Sequence, residues 1–287
     1  MILRSANLVL AAAAVALASG ALLACGGDSS SNTPAAADVT QPKLDRSAYT
    51  ATATATDRNR FFPLKPGYQS VRLGKVNRGS RRLAHRRVTT VTDVFKVVDG
   101  VRAVALLDQD FDGGQIAEQA LDFLAVDKRG VVWYLGSYTE AYEGGRFVNA
   151  NDGWLAGVKG AKPGIYMPAH PKPGGAPYVQ EDQPGSDPTI AKVVKAGQRT
   201  CVPFKCFKNT LVVEEDGENK YFAAGVGGIK TEPKGGGEQE TEELINVRTL
   251  SSKGLREISD EVLKLDKHAR STVAGVYGRS KAAKRKR

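Results

Sequence analysis

The sequence predicts a mainly β domain, a curved antiparallel sheet or open β-half-barrel, followed by one C-terminal amphipathic helix. Three observations predict it. Short β-branched runs recur from residue 68 to residue 250, separated by turn pairs such as Asp99-Gly100 and Gly144-Gly145. Apolar residues at steps of three and four are sustained only over residues 252–277. The 287-residue chain is 41% hydrophobic, ordinary for a globular fold. About 230 residues follow the leader and its linker, enough for one large domain or two small ones.

The order of elements starts with residues 1–24. Arg4 precedes an apolar Ala, Leu and Val run that ends Leu22-Leu23-Ala24-Cys25. A positive start, an apolar middle and a small-residue exit make a secretory signal peptide. Leu-Leu-Ala-Cys resembles a bacterial lipobox, in which the Cys25 sulfur takes a diacylglyceryl group and becomes the first mature residue. The run is short, and a polar Gly- and Ser-rich stretch follows it, which disfavours a retained membrane span. The expected product is an extracytoplasmic lipoprotein held to a bacterial cell membrane by acyl chains, palmitate included. Two chains suffice for stable attachment. The lipid bilayer is then the first expected partner.

Residues 25–59 read as a flexible tether, rich in Ser, Ala, Thr and Pro, with the low-complexity run Ala51-Thr-Ala-Thr-Ala-Thr56. The β domain is expected over 60–250. Pro63 and Pro66-Gly67 lead into a first strand at 70–76. Strands are then expected at 87–98, 101–107, 116–126, 131–135 and 146–148, forming an antiparallel meander. Residues 157–188 hold many of the prolines and read as a long loop, a candidate lid or flap across an open edge. Strands resume at 189–194, 209–215, 220–224, 229–231 and 240–250. The helix is assigned to 251–278, capped by Ser251 or Ser252, and a basic tail to 279–287.

Several phrases together resemble a group of bacterial lipoproteins of unassigned function. They are Phe61-Phe-Pro-Leu-Lys-Pro-Gly67, Asp127-Lys-Arg-Gly-Val-Val-Trp-Tyr-Leu-Gly136, Gly157-Val-Lys-Gly-Ala-Lys-Pro-Gly-Ile-Tyr-Met-Pro168 and Tyr221-Phe-Ala-Ala-Gly-Val-Gly227. The resemblance implies a half-barrel of the lipoprotein-carrier type, wrapping a helix or an apolar ligand. It brings no catalytic residues. Where a plain Val-Pro-x-Gly-x-Phe turn is expected of the group, this chain has Cys201-Val-Pro-Phe-Lys-Cys206.

The net charge of +10 is the other strong signal. Residues 58–87 carry ten Lys or Arg and no acid, and the chain ends Lys284-Arg285-Lys286-Arg287. Outside the cytoplasm such charge meets anionic lipid and envelope polymers rather than nucleic acid, at about 1 kcal/mol per residue close to a membrane. Arg81, Arg82, Arg86 and Arg87 are the candidate basic surface.

Chemistry-bearing motifs are few. Cys201 and Cys206, close together and outside the cytoplasm, are expected as a structural disulfide. Their spacing is not Cys-x-x-Cys, which disfavours a redox role. Asp108-Gln-Asp110-Phe-Asp112-Gly113 has the start of a calcium loop. Its far end fails, because Gln119 stands where a bidentate Glu is needed, and a hairpin turn explains Asp112-Gly113 without metal. His85, His170 and His268 are scattered. Asp122, Glu140 and Glu143 are the only carboxylates considered as an acid–base set. Trp133, Trp154, Tyr166 and Met167 would line a cup if the sheet curls.

These features point to a non-enzymatic binding protein for an apolar or amphiphilic ligand, with no cofactor. The alternative is a structural or adhesive module docking an anionic envelope polymer through its basic surface. An envelope enzyme ranks third.

Overall fold

The computed structural model describes residues 39, 41–49, 58–234 and 240–285, without the side chains of residues 151 and 152. Cys25, the leader and most of the tether lie outside the described residues, as do Lys286 and Arg287.

The described strands form one antiparallel sheet. In chain order they are β1 (Tyr68–Arg78), β2 (Arg81–Val98), β3 (Val101–Asp112), β4 (Gln115–Val126), β5 (Val132–Glu143), β6 (Arg146–Leu155), β7 (Gly164–Met167), β8 (Tyr178–Glu181), β9 (Thr189–Val202), β10 (Lys205–Glu215), β11 (Glu218–Ala223), β12 (Gly227–Pro233), β13 (Glu240–Thr249) and β14 (Lys284–Arg285). The sheet runs β6-β5-β4-β3-β2-β1-β13-β12-β11-β10-β9-β8, with β7 on β5 and β14 on β2. Strands consecutive in the chain are antiparallel neighbours from β1 to β6 and from β8 to β13. Asp99-Gly100 and Asp216-Gly217 both hold positive φ at the two central positions. That left-handed pair matches the strand twist, and Gly or Asp accepts it at low cost.

The strands are longer than the sequence patterns suggest. β2 extends back to Arg81 and β5 forward to Glu143. Their polar continuations alternate in register with neighbours, so ladder pairing carries them past the apolar stretch. Residues 157–188 are not a structureless loop, because β7 and β8 lie within them. Their proline and glycine content hides both strands. The two sheet ends meet here: Lys162 N–H donates to the Asp182 carbonyl at 2.9 Å, and Gly164 passes so close to Gln180 that a Cβ would sit 1.9 Å from its carbonyl oxygen. A single bridge joins the ends rather than a ladder, so the sheet is strongly curved and not closed.

Helix α1 (Ser252–Thr272) begins at Ser251, whose hydroxyl accepts from Gly254 N–H. Val262, Leu265 and Ala269 are buried in the core. A break at Val273 separates α1 from the four-residue α2 (Ala274–Tyr277). The helix is bound to β2 by charge as well as by apolar contact. Lys96 Nζ donates to Asp266 at 2.7 Å and to the Lys281 carbonyl at 2.8 Å, and Asp266 accepts from Ala283 N–H at 2.9 Å. Tyr277 O–H reaches the Ser137 carbonyl at 2.6 Å.

The described part of the basic tail is therefore docked. Residues 284 and 285 pair with Phe95 and Val94 of β2, past Thr90, where the pairing with the start of β1 stops. Part of the expected tether is docked too. Arg46 grips the Asp99 carboxylate at 2.6 Å, Leu44 is buried, and Lys128 N–H donates to the Ala48 carbonyl. Asn59, 1% exposed, donates to the Gly130 and Pro168 carbonyls. From there residues 59–67 cross to the β11–β12 turn, where Gly225 N–H meets the Arg60 carbonyl at 2.6 Å.

Candidate functional site

Strand alternation sorts the polar residues onto two faces. Directly opposed residues share a face, so the pairs His85–Asp112, Arg87–Asp110 and Thr89–Asp108 belong together, with Glu118 opposite Asp110. Asp122, Ser137 and Trp154 continue the same face across β4, β5 and β6. This is the inner face of the curve. Tyr166 of β7 lies within electrostatic reach of Lys220, Glu215, Asp122 and Asp108, which come from both halves of the sheet. Helix α1 packs on the other face, against Lys96 and Tyr138.

The inner face is charged and paired. Arg87 Nε and Nη2 hold Asp110 at 2.7 and 2.8 Å. Its Nη atoms also reach Glu240 at 3.2 Å and Glu242 at 2.9 Å. His85 is 1% exposed. Its Nδ1 lies 2.7 Å from Asp112 and its Nε2 3.3 Å from Glu242. Burial opposes its charge, but the hydrogen bonds its ring N–H groups donate to Asp112 and Glu242, with Glu240 and Asp110 nearby, push its pKa up to about 10. Burial beside Glu242 and Asp110 lifts Glu240 to about 8, against the pull of Arg87 and His85. Burial and then Asp110 hold Glu118 well above the ordinary glutamate value. Glu242 goes the other way: despite its burial, Arg72 and Arg87 keep it well below. Farther along, Lys220 pairs with Glu215 at 2.9 Å, and Asp122 accepts from Tyr134 O–H at 2.7 Å and Ser137 O–H at 3.1 Å.

The sequence-derived candidates distribute as follows. Asp108, Asp110 and Asp112 lie on strand β3 at alternate positions rather than wrapping a calcium loop. Thr89, Arg87, and His85 with Arg78 are their partners. Arg81, Arg82 and Arg86 are exposed, but Arg87 is buried at 4% exposure and does not belong to the surface patch. Alternation turns it inward to its carboxylates. Trp154, Tyr134 and Tyr166 form edge-on ring contacts at 5.1 and 5.7 Å. Trp133, one residue from Tyr134, points to the opposite face, where its indole N–H meets Asp127 at 3.3 Å. Met167 is fully buried. Trp154 Nε1 and the Tyr178 hydroxyl are buried without a hydrogen-bond partner among the described residues. Asp122 and Glu140 lie on opposite faces and do not form an acid–base pair; Glu140 binds Tyr138, Tyr142 and His268. Cys201 and Cys206 are directly opposed in the β9–β10 hairpin and form a disulfide.

The outer face carries a feature that sequence reading missed. A cleft of about 480 Å³ opens beside the C-terminal half of α1, lined by Lys264, Lys267, His268, Arg270, Ser271 and Gly278. Lys264 faces Glu261 at 3.5 Å. Lys267 and Arg270 have no carboxylate partner among the described residues. Basic residues in the last turns of a helix suit its negative end, which accounts for some of this charge. On the rim, Phe147 packs on the His268 ring with centroids 4.9 Å apart. Phe147 and its neighbour Val148 are 41% and 47% exposed. An aromatic ring so exposed beside a cationic cleft makes an amphiphilic surface. The sequence signal was the placement of Lys264, Lys267 and Ser271 at helical spacing, opposite the apolar stripe.

No protein-family model matches the chain, and no curated protein matches its sequence. Among solved structures, it is similar to a "putative lipoprotein" from Parabacteroides distasonis, at 12% identity and a TM-score of 0.34. That match covers 66% of this chain and 99% of the other. At that level the likeness carries no argument about function.

Proposed function

We propose that the chain is a lipid-anchored, extracytoplasmic, non-enzymatic protein that binds an anionic amphiphile at the cleft beside α1. The lipobox-like Cys25 supports the anchor and the location. The observation that carries the ligand class is the juxtaposition of Lys264, Lys267 and Arg270 with exposed Phe147, which packs on His268 at the cleft. A phosphate or carboxylate head would meet the cations, and its chain would cover the exposed Phe147 ring. The inner face is a poorer site for an apolar molecule, because ion-paired side chains occupy much of it.

The test is saturable binding of a fluorescent anionic lysophospholipid, below its micelle concentration, to the full chain in a neutral detergent. The expected result is one site, weakened at least tenfold by Lys264→Glu with Arg270→Glu. Equal affinity for a zwitterionic lysophospholipid, or no loss in the variant, would count against it. A second reading, docking of an anionic envelope polymer, rests on exposed Arg81, Arg82 and Arg86 at the β1–β2 hairpin. Neutralising those three would abolish polymer binding and leave lysolipid binding intact.

A further inference from the structure

We infer that the β9–β10 hairpin is a docking element for the membrane surface, laying its basic side on anionic phospholipid headgroups where the tether enters the fold. Residues 189–213 carry Lys192, Lys195, Arg199, Lys205 and Lys208 and no acid. Lys192 stands opposite Glu214 in the ladder. The other four are exposed and have no ion pair among the described residues. They differ in this from Arg87 and Lys220 of the inner face, which carboxylates already match.

The hairpin is built to present these cations. A disulfide joins Cys201 and Cys206 across its tip. One side is pinned to the fold. Val202 and Phe207 are buried with Ala223, Ile229 and Leu244, and Phe204 N–H donates to the Leu244 carbonyl at 3.0 Å. Lys205 Nζ lies over the Phe207 ring, 4.9 Å from its centroid. A cationic surface already held in place loses little freedom when it docks.

Position identifies the partner. Neighbouring strands are antiparallel, so the β2–β3, β4–β5, β9–β10 and β11–β12 turns share one end of the strands. The tether residues are bound at that end, Arg46 to Asp99 and Ala48 to Lys128. Exposed Arg60 puts its carbonyl on Gly225 N–H of the β11–β12 turn, and Val226 of that turn packs on the hairpin's apolar cluster. The tether and the hairpin therefore flank one turn. The anchor proposed above brings this end of the sheet to the bilayer; the choice of partner rests on that reading, and the uncompensated charge does not. Close to an anionic membrane each Lys or Arg strengthens binding about fivefold, within a Debye length of the surface.

The experiment adds full chain, purified from bacterial membranes, to preformed vesicles of phosphatidylcholine alone or mixed equally with phosphatidylglycerol. Lysine acetylation by a soluble reagent is followed at each site by mass spectrometry. Lys195 and Lys208 should react at least about fivefold more slowly on the mixed vesicles, and high salt should restore their rates. Lys75, exposed beside the β1–β2 turn at the other end, should not change. Arg60→Gln with Arg199→Gln should restore reaction at Lys208. Lys264→Glu with Arg270→Glu should leave the slowing intact, which separates this inference from the α1 cleft. Flotation with phosphatidylcholine alone reports the acyl anchor, whereas slowing on mixed vesicles is expected whether or not the chain is acylated. Equal rates on both vesicles, or slowing shared by Lys75, overturns the inference. Slowing by soluble polyphosphate but not by mixed vesicles would assign the hairpin to a polymer and overturn it as well. The wild-type rates decide, so a variant that fails to fold leaves the result standing.

Discussion

Asp266 is the joint between the helix, the sheet and the C-terminal segment, and its removal gives a magnitude that can be worked out. Lys96 is fully buried, and Asp266 is 2% exposed. The pair is 2.7 Å apart, and the second Asp266 oxygen takes the Ala283 N–H. Asp266→Ala leaves the Lys96 ammonium buried with only the Lys281 carbonyl and the faces of Phe123 and Tyr277 for company. Breaking one partner of a buried pair costs about 3–5 kcal/mol. Against a typical stability of about 5–15 kcal/mol, that is a large fraction. With a urea slope of about 2–3 kcal/mol/M, the unfolding midpoint should fall by more than about 1 M. Replacing both partners, Lys96→Met with Asp266→Leu, should recover most of the loss, because the desolvation of both charges is removed together. Urea titration followed by circular dichroism reads both variants. A single-variant loss under about 1 kcal/mol, or a double variant no better than the single, would refute the reasoning.

Three further outcomes are expected. Replacing Cys201 and Cys206 by Ser should cost about 2 kcal/mol, the loop-closure value for so short a ring, measured by the same titration against the oxidised chain. Burial lifts Asp122 from 3.8 to about 7, so the folded state keeps a proton that the unfolded chain releases near pH 4. Stability should therefore fall as pH rises from about 4 to 7, by up to about 4 kcal/mol at about 1.4 per unit. Asp122→Asn should flatten that slope in denaturation curves taken across the window. Gly164→Ala should destabilise by about 1–3 kcal/mol, since its Cβ would meet the Gln180 carbonyl and force the sheet ends apart. Hydrogen exchange should then quicken in β7 and β8 before the central strands, and uniform exchange would show that the ends do not meet as described.

The architecture was legible where local chemistry decides it. Asp99-Gly100 and Gly144-Gly145 mark hairpins without tertiary context, and the apolar stripe of α1 announces its buried side. β7 and β8 were hidden because four-residue strands among prolines lack a period. The fate of Arg87 was readable in principle. Alternation separates it from Arg86, which stacks on Phe111 at 3.9 Å, yet a run of basic residues reads as one surface. The His85 cluster was harder. Glu240 and Glu242 lie more than 150 residues away, and only the β1–β13 pairing brings them in. The local half of the signal was present: Asp108, Asp110 and Asp112 step by two, as do His85 and Arg87, which is the period of facing strands rather than of a metal loop. The cleft depends on the turn after α2 and has no signature beyond its helical basic residues.

The most direct measurement is native mass spectrometry of the full chain, extracted from bacterial membranes in a mild neutral detergent. The account predicts a mature mass that begins at Cys25 and carries acyl chains, with an anionic phospholipid retained on the folded protein. The phospholipid should be lost when Lys264, Lys267 and Arg270 are reversed to Glu. An unacylated chain, or a phospholipid held equally well by the charge-reversed variant, would contradict it.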